Sequence, residues 1–336
     1  MDQVKAMRVF TRVIDEGSLA AAARAMDLAP AVVTRLIADL EEHLGARLLN
    51  RTTRRLSLTD VGEGYLERCR RILGDIEEAE ALASASTSDP RGTLRVLMPP
   101  AIAVHQLARH LARFHALYPQ VNLELVAPGP VVALDESFDI TVISTRAPLE
   151  GDFIARRLAR TEVILCAAPE YLARRGHPRH PSDLRQHDLM LPPHHQLSRG
   201  VTFERCGADG LTQESVCAVP PRPVMTTDSV DTKYASALHG LGVAGLPSFV
   251  VGDALMEGAL ERVLPEWRLY SYTLWGAMPT RKFVPARTRA FMDFLLEIFG
   301  GRDEDPWLTA AGCPSYRLPL AAVTAPTPAV SAASAG

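Results

Sequence analysis

The spacing of apolar residues changes once along this 336-residue chain, close to residue 88, and that change limits the possible folds more than any single motif does. From Met1 to about Ser88, apolar side chains recur at helical spacing and strand-like alternation is almost absent. Beyond that point short apolar or alternating runs take turns with amphipathic stretches. Between the two lies Ser84 to Gly92 (SASTSDPRG), small, polar and punctuated by Pro90 and Gly92, which reads as a hinge. An all-helical half and an alternating βα half bury their apolar faces in different layer geometries. The pattern therefore predicts two domains, which the length also allows.

In the first half, Val4, Met7, Thr11 and Ile14 predict one helix face, which Gly17 ends, and Ser18 is placed to cap the next helix. That second helix is short and alanine-rich (Leu19, Ala22, Ala23, Met26), and Asp27 and Leu28 turn the chain. A third helix is predicted from Pro30 to Leu44, with Val33, Ile37, Leu40 and Leu44 inward and Gly45 as its C-cap. Three helices with a tight turn before the last outline a helix-turn-helix, and equally the core of a plain bundle. The next segment favours the first. Ala46 to Leu58 holds Arg47, Arg51, Arg54 and Arg55 with no acid, although the chain as a whole has a net charge of −3. With Thr52, Thr53 and Ser57 interleaved, this basic hairpin suits phosphate and sugar contacts.

From Thr59 to about Ala85 a long stripe (Val61, Tyr65, Leu66, Cys69, Ile72, Leu73, Ile76, Ala79, Leu82) predicts a helix that must bury one face, either on a second copy of itself or on its own chain. Past the hinge, Thr93 to Met98, Val121 to Val126, Phe138 to Ser144, Glu162 to Ala168, Val243 to Leu246 and Tyr270 to Ala277 read as strands. Helices through Ile102 to Tyr118, Tyr171, Asp228 to His239 and Phe291 to Ile298 lie among them. Two α/β lobes with a late returning strand fit a two-lobed binding-protein fold. Gly300 to Gly336, rich in Ala, Pro and Ser, reads as a disordered tail.

Over Met7 to Glu67 the chain resembles the LysR-type transcriptional regulators. Phe10, Gly17-Ser18, Ala22-Ala23, Arg35, Leu40-Glu41, Leu44-Gly45, Leu48-Leu49, Arg51, Leu58-Thr59 and Gly62 stand in register with that family's N-terminal pattern. A sparser likeness to LysR-type effector domains runs through Gly92 to Val96, Phe138-Asp139-Ile140, Pro169 to Leu172, Pro181 to Leu184, Gly240-Leu241-Gly242 and Arg289 to Leu295. The resemblance implies an N-terminal all-α winged helix-turn-helix over 1–58, a dimerising linker helix over 59–88 and a hinge at 89–92. It further implies a C-terminal α/β two-lobed periplasmic-binding-protein-like effector domain over 93–299, with lobe I at about 93–164 and 271–299, lobe II at about 165–270, and the tail at 300–336. The implied partners are operator DNA, a small-molecule effector and further copies of the chain as a homodimer or homotetramer, without catalysis or a cofactor.

Carried over position by position, the implied DNA contacts are Ser18, Pro30, Ala31, Thr34 and Arg35 on the helices and Arg51, Thr53 and Arg54 on the wing. The family usually has glutamine where Pro30 and Leu36 stand. Proline cannot read adenine as glutamine does, which shifts the expected readout toward DNA shape. In the implied cleft, the Pro100-Ala101-Ile102 turn and Asp228-Ser229 would be the two effector-facing helix starts. Family members often carry a hydroxyl in the first of these. Two prolines and Ala101 stand here instead, which disfavours a simple carboxylate and favours a less polar or larger ligand.

Other motifs carry less. Gly240-x-Gly242-x-x-Gly245 matches a dinucleotide fingerprint in letters only, because a helix precedes it and a strand follows. His177, His180, His187 and His194-His195 lack metal-ligand spacing. Five scattered cysteines contain no C-x-x-C, Cys166 falls in a predicted strand, and Cys206 and Cys217 are the candidates for exposed thiols. No G-x-S-x-G elbow and no run of about eighteen apolar residues occurs, so neither a serine hydrolase nor a membrane span is predicted and the cytoplasm is the default compartment.

Overall fold

The computed structural model describes residues 2–52, 55–83, 89–193, 201–206, 212–218, 223–279 and 284–313. The chain divides into two compact units, the first over Met1–Asp89 and the second beginning at Pro90.

The first unit runs α1 (Gln3–Asp15), α2 (Leu19–Ala25), α3 (Pro30–Leu44), β1 (Leu49–Thr52), β2 (Arg55–Leu58) and α4 (Asp60–Ala83). Each boundary has a local cause. The Asp2 carboxylate accepts from the Lys5 amide, Ser18 Oγ from the Ala21 amide, and Thr59 Oγ1 from the Gly62 amide, so three helix starts are capped by side chains. Gly17 and Gly45 take the left-handed conformation that ends α1 and α3. Strands β1 and β2 pair antiparallel, Leu49 opposite Leu58 and Thr52 opposite Arg55, and this ribbon behind three helices makes a winged helix-turn-helix.

The face of α1 that goes inward is Ala6, Met7, Val9, Phe10 and Val13, whereas Val4 is exposed and Thr11 and Ile14 are half-buried. The expected stripe is thus rotated by about one position. The front half of α4 packs on its own chain. Tyr65 meets Phe10 with ring centroids 5.8 Å apart, Leu66 and Cys69 are buried in the same core, and Arg70 reaches Asp15 at 2.5 Å. Burial pushes the Cys69 thiol up to about 11 and the Tyr65 phenol to about 12, as expected of structural groups. Val61 and Ile72, from the same predicted stripe, stay exposed.

The second unit starts with β3 (Gly92–Leu97), then a continuous helical segment made of α5 (Pro100–Ile102), a π turn (Ala103–Leu107), a 3-10 turn (Ala108–His110) and α6 (Leu111–Leu117). Next come β4 (Val121–Val126), β5 (Ile140–Thr145), β6 (Phe153–Ala167), α7 (Pro169–Arg175), β7 (Leu189–Leu191), β8 (Val201–Cys206), β9 (Thr212–Ala218) and β10 (Met225–Thr226). The chain continues through α8 (Val230–Leu238), β11 (Val243–Pro247), α9 (Ser248–Met256), β12 (Glu261–Val263), β13 (Trp267–Arg268), β14 (Tyr270–Pro279), α10 (Ala286–Phe299) and α11 (Pro306–Ala310).

Nine strands join in the order β10-β7-β11-β6-β14-β5-β3-β4, with β12 also on β6. β4, β3 and β5 are parallel and belong to one lobe; β10, β7, β11 and β12 belong to the other. The long antiparallel pair β6–β14 runs through both, from Tyr270 opposite Val163 to Pro279 opposite Phe153, with an irregularity between Leu274 and Trp275.

Three features depart from the sequence expectations. β6 begins at Phe153 and not near Glu162, because Arg156, Arg157 and Arg160 interrupt an apolar run that nonetheless pairs with β14 along its length. α9 and the separate β13-β8-β9 sheet were not anticipated. Six of the nine α9 residues are buried, so it lacks the polar face that marks a helix, while the consecutive Glu204 and Arg205 on β8 break the alternation that marks a strand. The expected disordered tail is folded over its first part: Asp305 is buried, caps α11 through the Trp307 and Leu308 amides, and also accepts from the Glu162 amide and Ser248 Oγ. Four donors on one carboxylate, with Leu308 wholly buried, dock this segment. Residues 314–336 lie outside the described residues.

Gly62 is where α4 crosses the start of the wing, and a Cβ there would stand 2.1 Å from the Leu48 carbonyl oxygen. Backbone on both sides must then shift. Gly62→Ala should cost about 2–3 kcal/mol in the first unit and leave the second unaffected, as read by amide hydrogen exchange on the full chain. Unchanged protection of α1 and α3 would contradict that tight crossing.

Candidate nucleic-acid interface and effector cavity

The α2–turn–α3 element is fixed from inside. Asp27 adopts φ +53°, the Leu28 amide returns to the Ala23 carbonyl at 2.9 Å, and Val33, Ile37 and Leu40 are fully buried. Helical geometry then turns Pro30, Ala31, Thr34 and Arg35 to the opposite side, where Pro30, Ala31 and Arg35 are exposed and Thr34 is half-buried. Thr34 Oγ1 donates to the Pro30 carbonyl at 2.9 Å, which leaves its lone pairs for an incoming donor. The Arg35 side chain is 84% exposed, and its Nε lies 3.9 Å from Asp39, a surface pair worth little that leaves the guanidinium available. Ser18 is committed to capping α2. Arg51 lies on β1 opposite Leu56, while Thr53 and Arg54 lie outside the described residues.

One residue that sequence reasoning did not assign a role is Glu41. It sits among the buried positions of α3, and its Oε1 accepts from the Leu48 and Leu49 amides at 2.9 and 3.0 Å. The Thr59 hydroxyl donates to the Arg47 carbonyl at 2.7 Å, and the Thr59 amide to the Leu48 carbonyl at 3.0 Å. The base of the wing is thereby tied to α3 on one side and to α4 on the other. The signal was available: an acid directly after Val33, Ile37 and Leu40 falls on the inward stripe, where a carboxylate needs donors.

In the second unit, the Pro99–Ile102 turn, the 128–132 loop and Ser144 of one lobe face Asp228 to Asp231, Phe249 and Tyr272 across a cavity of about 360 Å³. All five sequence-expected effector positions, Pro100, Ala101, Ile102, Asp228 and Ser229, are on its wall. Ser229 Oγ caps α8 by accepting from the Thr232 amide at 3.1 Å. Across the two lobes, His105 Nε2 donates to Asp231 Oδ1 at 2.8 Å and Arg109 Nη2 to Asp253 Oδ2 at 2.6 Å. Burial holds the Tyr272 phenol well above its ordinary range, so it remains a neutral hydroxyl. Behind the wall, burial lowers Lys233, opposed by the nearby Asp228 carboxylate.

Comparisons with known proteins agree with this layout. Residues 4–63 match the family model described as bacterial regulatory helix-turn-helix protein, lysR family, and residues 87–300 match the LysR substrate binding domain. The chain belongs to the LysR family of transcriptional regulators. The HTH-type transcriptional regulator YhjC of Escherichia coli K12 is 34% identical over 296 residues, covering 88% of this chain and 97% of that protein. CrgA, a LysR-type transcriptional regulator from Neisseria meningitidis, is 29% identical, with a TM-score of 0.53 over 88% of this chain and 98% of that one. The full-length virulence activator AphB of Vibrio cholerae shares the fold at 23% identity and a TM-score of 0.54, covering 88% of this chain and 99% of that one.

As a LysR-type regulator the protein is a DNA-binding transcription factor with an effector-binding domain, not an enzyme. The weaker motifs take structural roles. Gly240 ends α8 with φ +69°, and a Cβ on Gly242 would meet the Asp188 carbonyl oxygen at 2.2 Å. His177 pairs with Glu261, His180 with Ser182 and His187 with Tyr171, whereas His194 and His195 lie outside the described residues. Cys166 is buried, its thiol pushed up to about 12; Cys217 is exposed; and the Cys206 side chain is outside the described residues. Among the described residues no helix is long and apolar enough to cross a membrane.

Replacing Glu41 by Ala strands the Leu48 and Leu49 amides. The first unit should lose about 2–4 kcal/mol, and duplex binding should weaken with it. Hydrogen exchange at Leu48 and Leu49 alongside a gel shift checks this, and retained protection at both amides would count against it.

Proposed function

We propose that α3 and the β1–β2 hairpin form the operator-binding surface, with Ser18, Pro30, Ala31, Thr34 and Arg35 on the helical side and Arg51, Thr53 and Arg54 on the wing. The observation that carries this is the division of α3 into a buried stripe through Val33, Ile37 and Leu40 and a solvent face holding Pro30, Ala31 and Arg35. Neither proline nor alanine makes a bidentate contact to a base, so Arg35 is the principal base or phosphate ligand of the helix and DNA shape supplies further discrimination. The wing arginines neutralise phosphates.

The effector occupies the cavity bounded by Pro100, Ala101, Ile102, Asp228 and Ser229. Copies of the chain associate as a homodimer or homotetramer, with exposed Val61 and Ile72 on the linker helix among the apolar groups available for pairing. The domains run 1–58, 59–88, 89–92 and 93–299, the last extended by the docked α11, and the protein works in the cytoplasm. Ligand occupancy changes operator binding or bending only as far as the ligand favours one arrangement over another.

A gel shift on the chain's own upstream DNA across a salt series tests the DNA surface. The site should be bound far more tightly than bulk duplex, with affinity falling steeply as salt rises. Arg51→Ala and Arg54→Ala should each lower the slope of log affinity against log salt by about one per protomer while weakening all sequences alike. An unchanged slope in the double variant removes the wing from the phosphates.

A further inference from the structure

The walls of the effector cavity are unsuited to an anion. Among the described residues that line it there is no arginine, lysine or histidine, while two carboxylates, Asp228 and Asp231, are present. The two helix starts that could receive a carboxylate are both depleted. At the first, Pro99 and Pro100 have no amide hydrogen, and the Ile102 and Ala103 amides already donate to the Pro99 carbonyl at 3.1 and 3.2 Å, so Ala101 alone is left. At the second, the Ser229 amide donates to Thr227 Oγ1 and the Thr232 amide to Ser229 Oγ, which leaves the Val230 and Asp231 amides, and two aspartates stand beside that positive end of α8 and compensate it.

Apart from Ser144, Ser229 and the Tyr272 hydroxyl, the rest of the wall is apolar and aromatic: the rings of Phe249 and Tyr272, with Ile102 and Val131 and the 128–130 Pro-Gly-Pro loop. The two acids are not equivalent. Asp228 faces the buried Lys233, whose charge it supports. Asp231 accepts from His105 through Oδ1, and its side chain is 42% exposed. It is the acid of the two better able to take a further donor.

We propose that this regulator's effector is an amine: a small compound with an apolar or aromatic skeleton against Phe249, Tyr272 and the proline walls, whose protonated nitrogen donates to the Asp231 carboxylate. It rests on the cavity being the effector site proposed above. Charge selection follows from the wall. An ammonium gains a charge-assisted hydrogen bond beside the Phe249 and Tyr272 rings, whereas a carboxylate of the same shape meets two like charges, Asp228 and Asp231, with no cationic side chain among the described wall residues to offset them.

Calorimetry on the full-length protein with three probes of one skeleton, 2-phenylethylamine, 2-phenylethanol and phenylacetate, tests this. The amine should bind most tightly and phenylacetate at least about tenfold more weakly. Asp231→Asn should cost the amine about tenfold or more and leave the alcohol within about twofold. Val132→Lys, at an exposed position on the cavity rim, should weaken the amine and strengthen phenylacetate.

Failure to bind the amine, or preference for the alcohol or phenylacetate, overturns the ligand class. Phenylacetate preferred and strengthened by Val132→Lys keeps the cavity as the effector site and overturns only its chemistry. A bound probe indifferent to both variants lies elsewhere, which overturns the site itself.

Discussion

The antiparallel pairing of β6 with β14 is the constraint on which the effector domain depends. Both strands are long enough to serve two lobes, so a single ladder from Tyr270–Val163 to Pro279–Phe153 fixes the distance and rotation between them. Ser144 at the end of β5 and Tyr272 on β14 reach the cavity from that frame, and the Pro99–Ile102 and Asp228–Asp231 turns close over it from opposite lobes. A cavity built from two independently folded lobes would vary with their approach. Here its floor is continuous sheet.

Around that ladder the waist is polar, and its side chains find partners. Arg160 reaches Ser271 Oγ through Nη2 at 3.1 Å, Thr161 and Ser248 share a 2.7 Å hydroxyl contact, and Asp305 closes the group from the C-terminal side. Buried polar groups of this kind cost free energy unless they are paired, and when they are they specify a single arrangement of strands. α11 therefore belongs to the domain's core architecture. Its Trp307 lies against Phe249 and Phe299 with centroids 5.7 and 6.2 Å away.

Legibility in the sequence followed burial geometry. The first unit was readable because its helices are bounded by Ser18, Gly17 and Gly45 and each has one apolar face, although the face of α1 came out one position round since Ala6 counts as core only once its neighbours are known. Elements buried on both sides were hard to read. α9 has no polar face to set its period, and the waist of β6 carries arginines that look like surface until Ser271 and the flanking strands cover them. The effector positions were legible as two helix starts. Their meeting in one cleft followed only from the resemblance to LysR-type effector domains and not from the residue pattern, because it depends on a strand pairing between residues more than a hundred positions apart. Glu41 was legible as an acid on the inward stripe of α3, but its partners were not, because they are backbone amides that no side-chain pattern announces.

The wall proposed to receive the effector also carries contacts between the lobes, and such contacts would couple occupancy to shape. His105 and Gln106 are consecutive on the π turn. His105 donates to Asp231 at the start of α8, while Gln106 donates to the Phe249 carbonyl on α9 and accepts from Trp307 Nε1 at 2.9 Å. The wider turn lets adjacent side chains engage two different helices of the opposite lobe, and such turns recur where helices must meet a functional demand. Asp231 and Phe249 also line the cavity. A ligand that draws on the Asp231 carboxylate competes with His105 for it, and one that presses on Phe249 bears on the Gln106–Trp307 link. A ligand that changes the free energy of either contact meets the condition for moving a two-lobed domain from one arrangement to another.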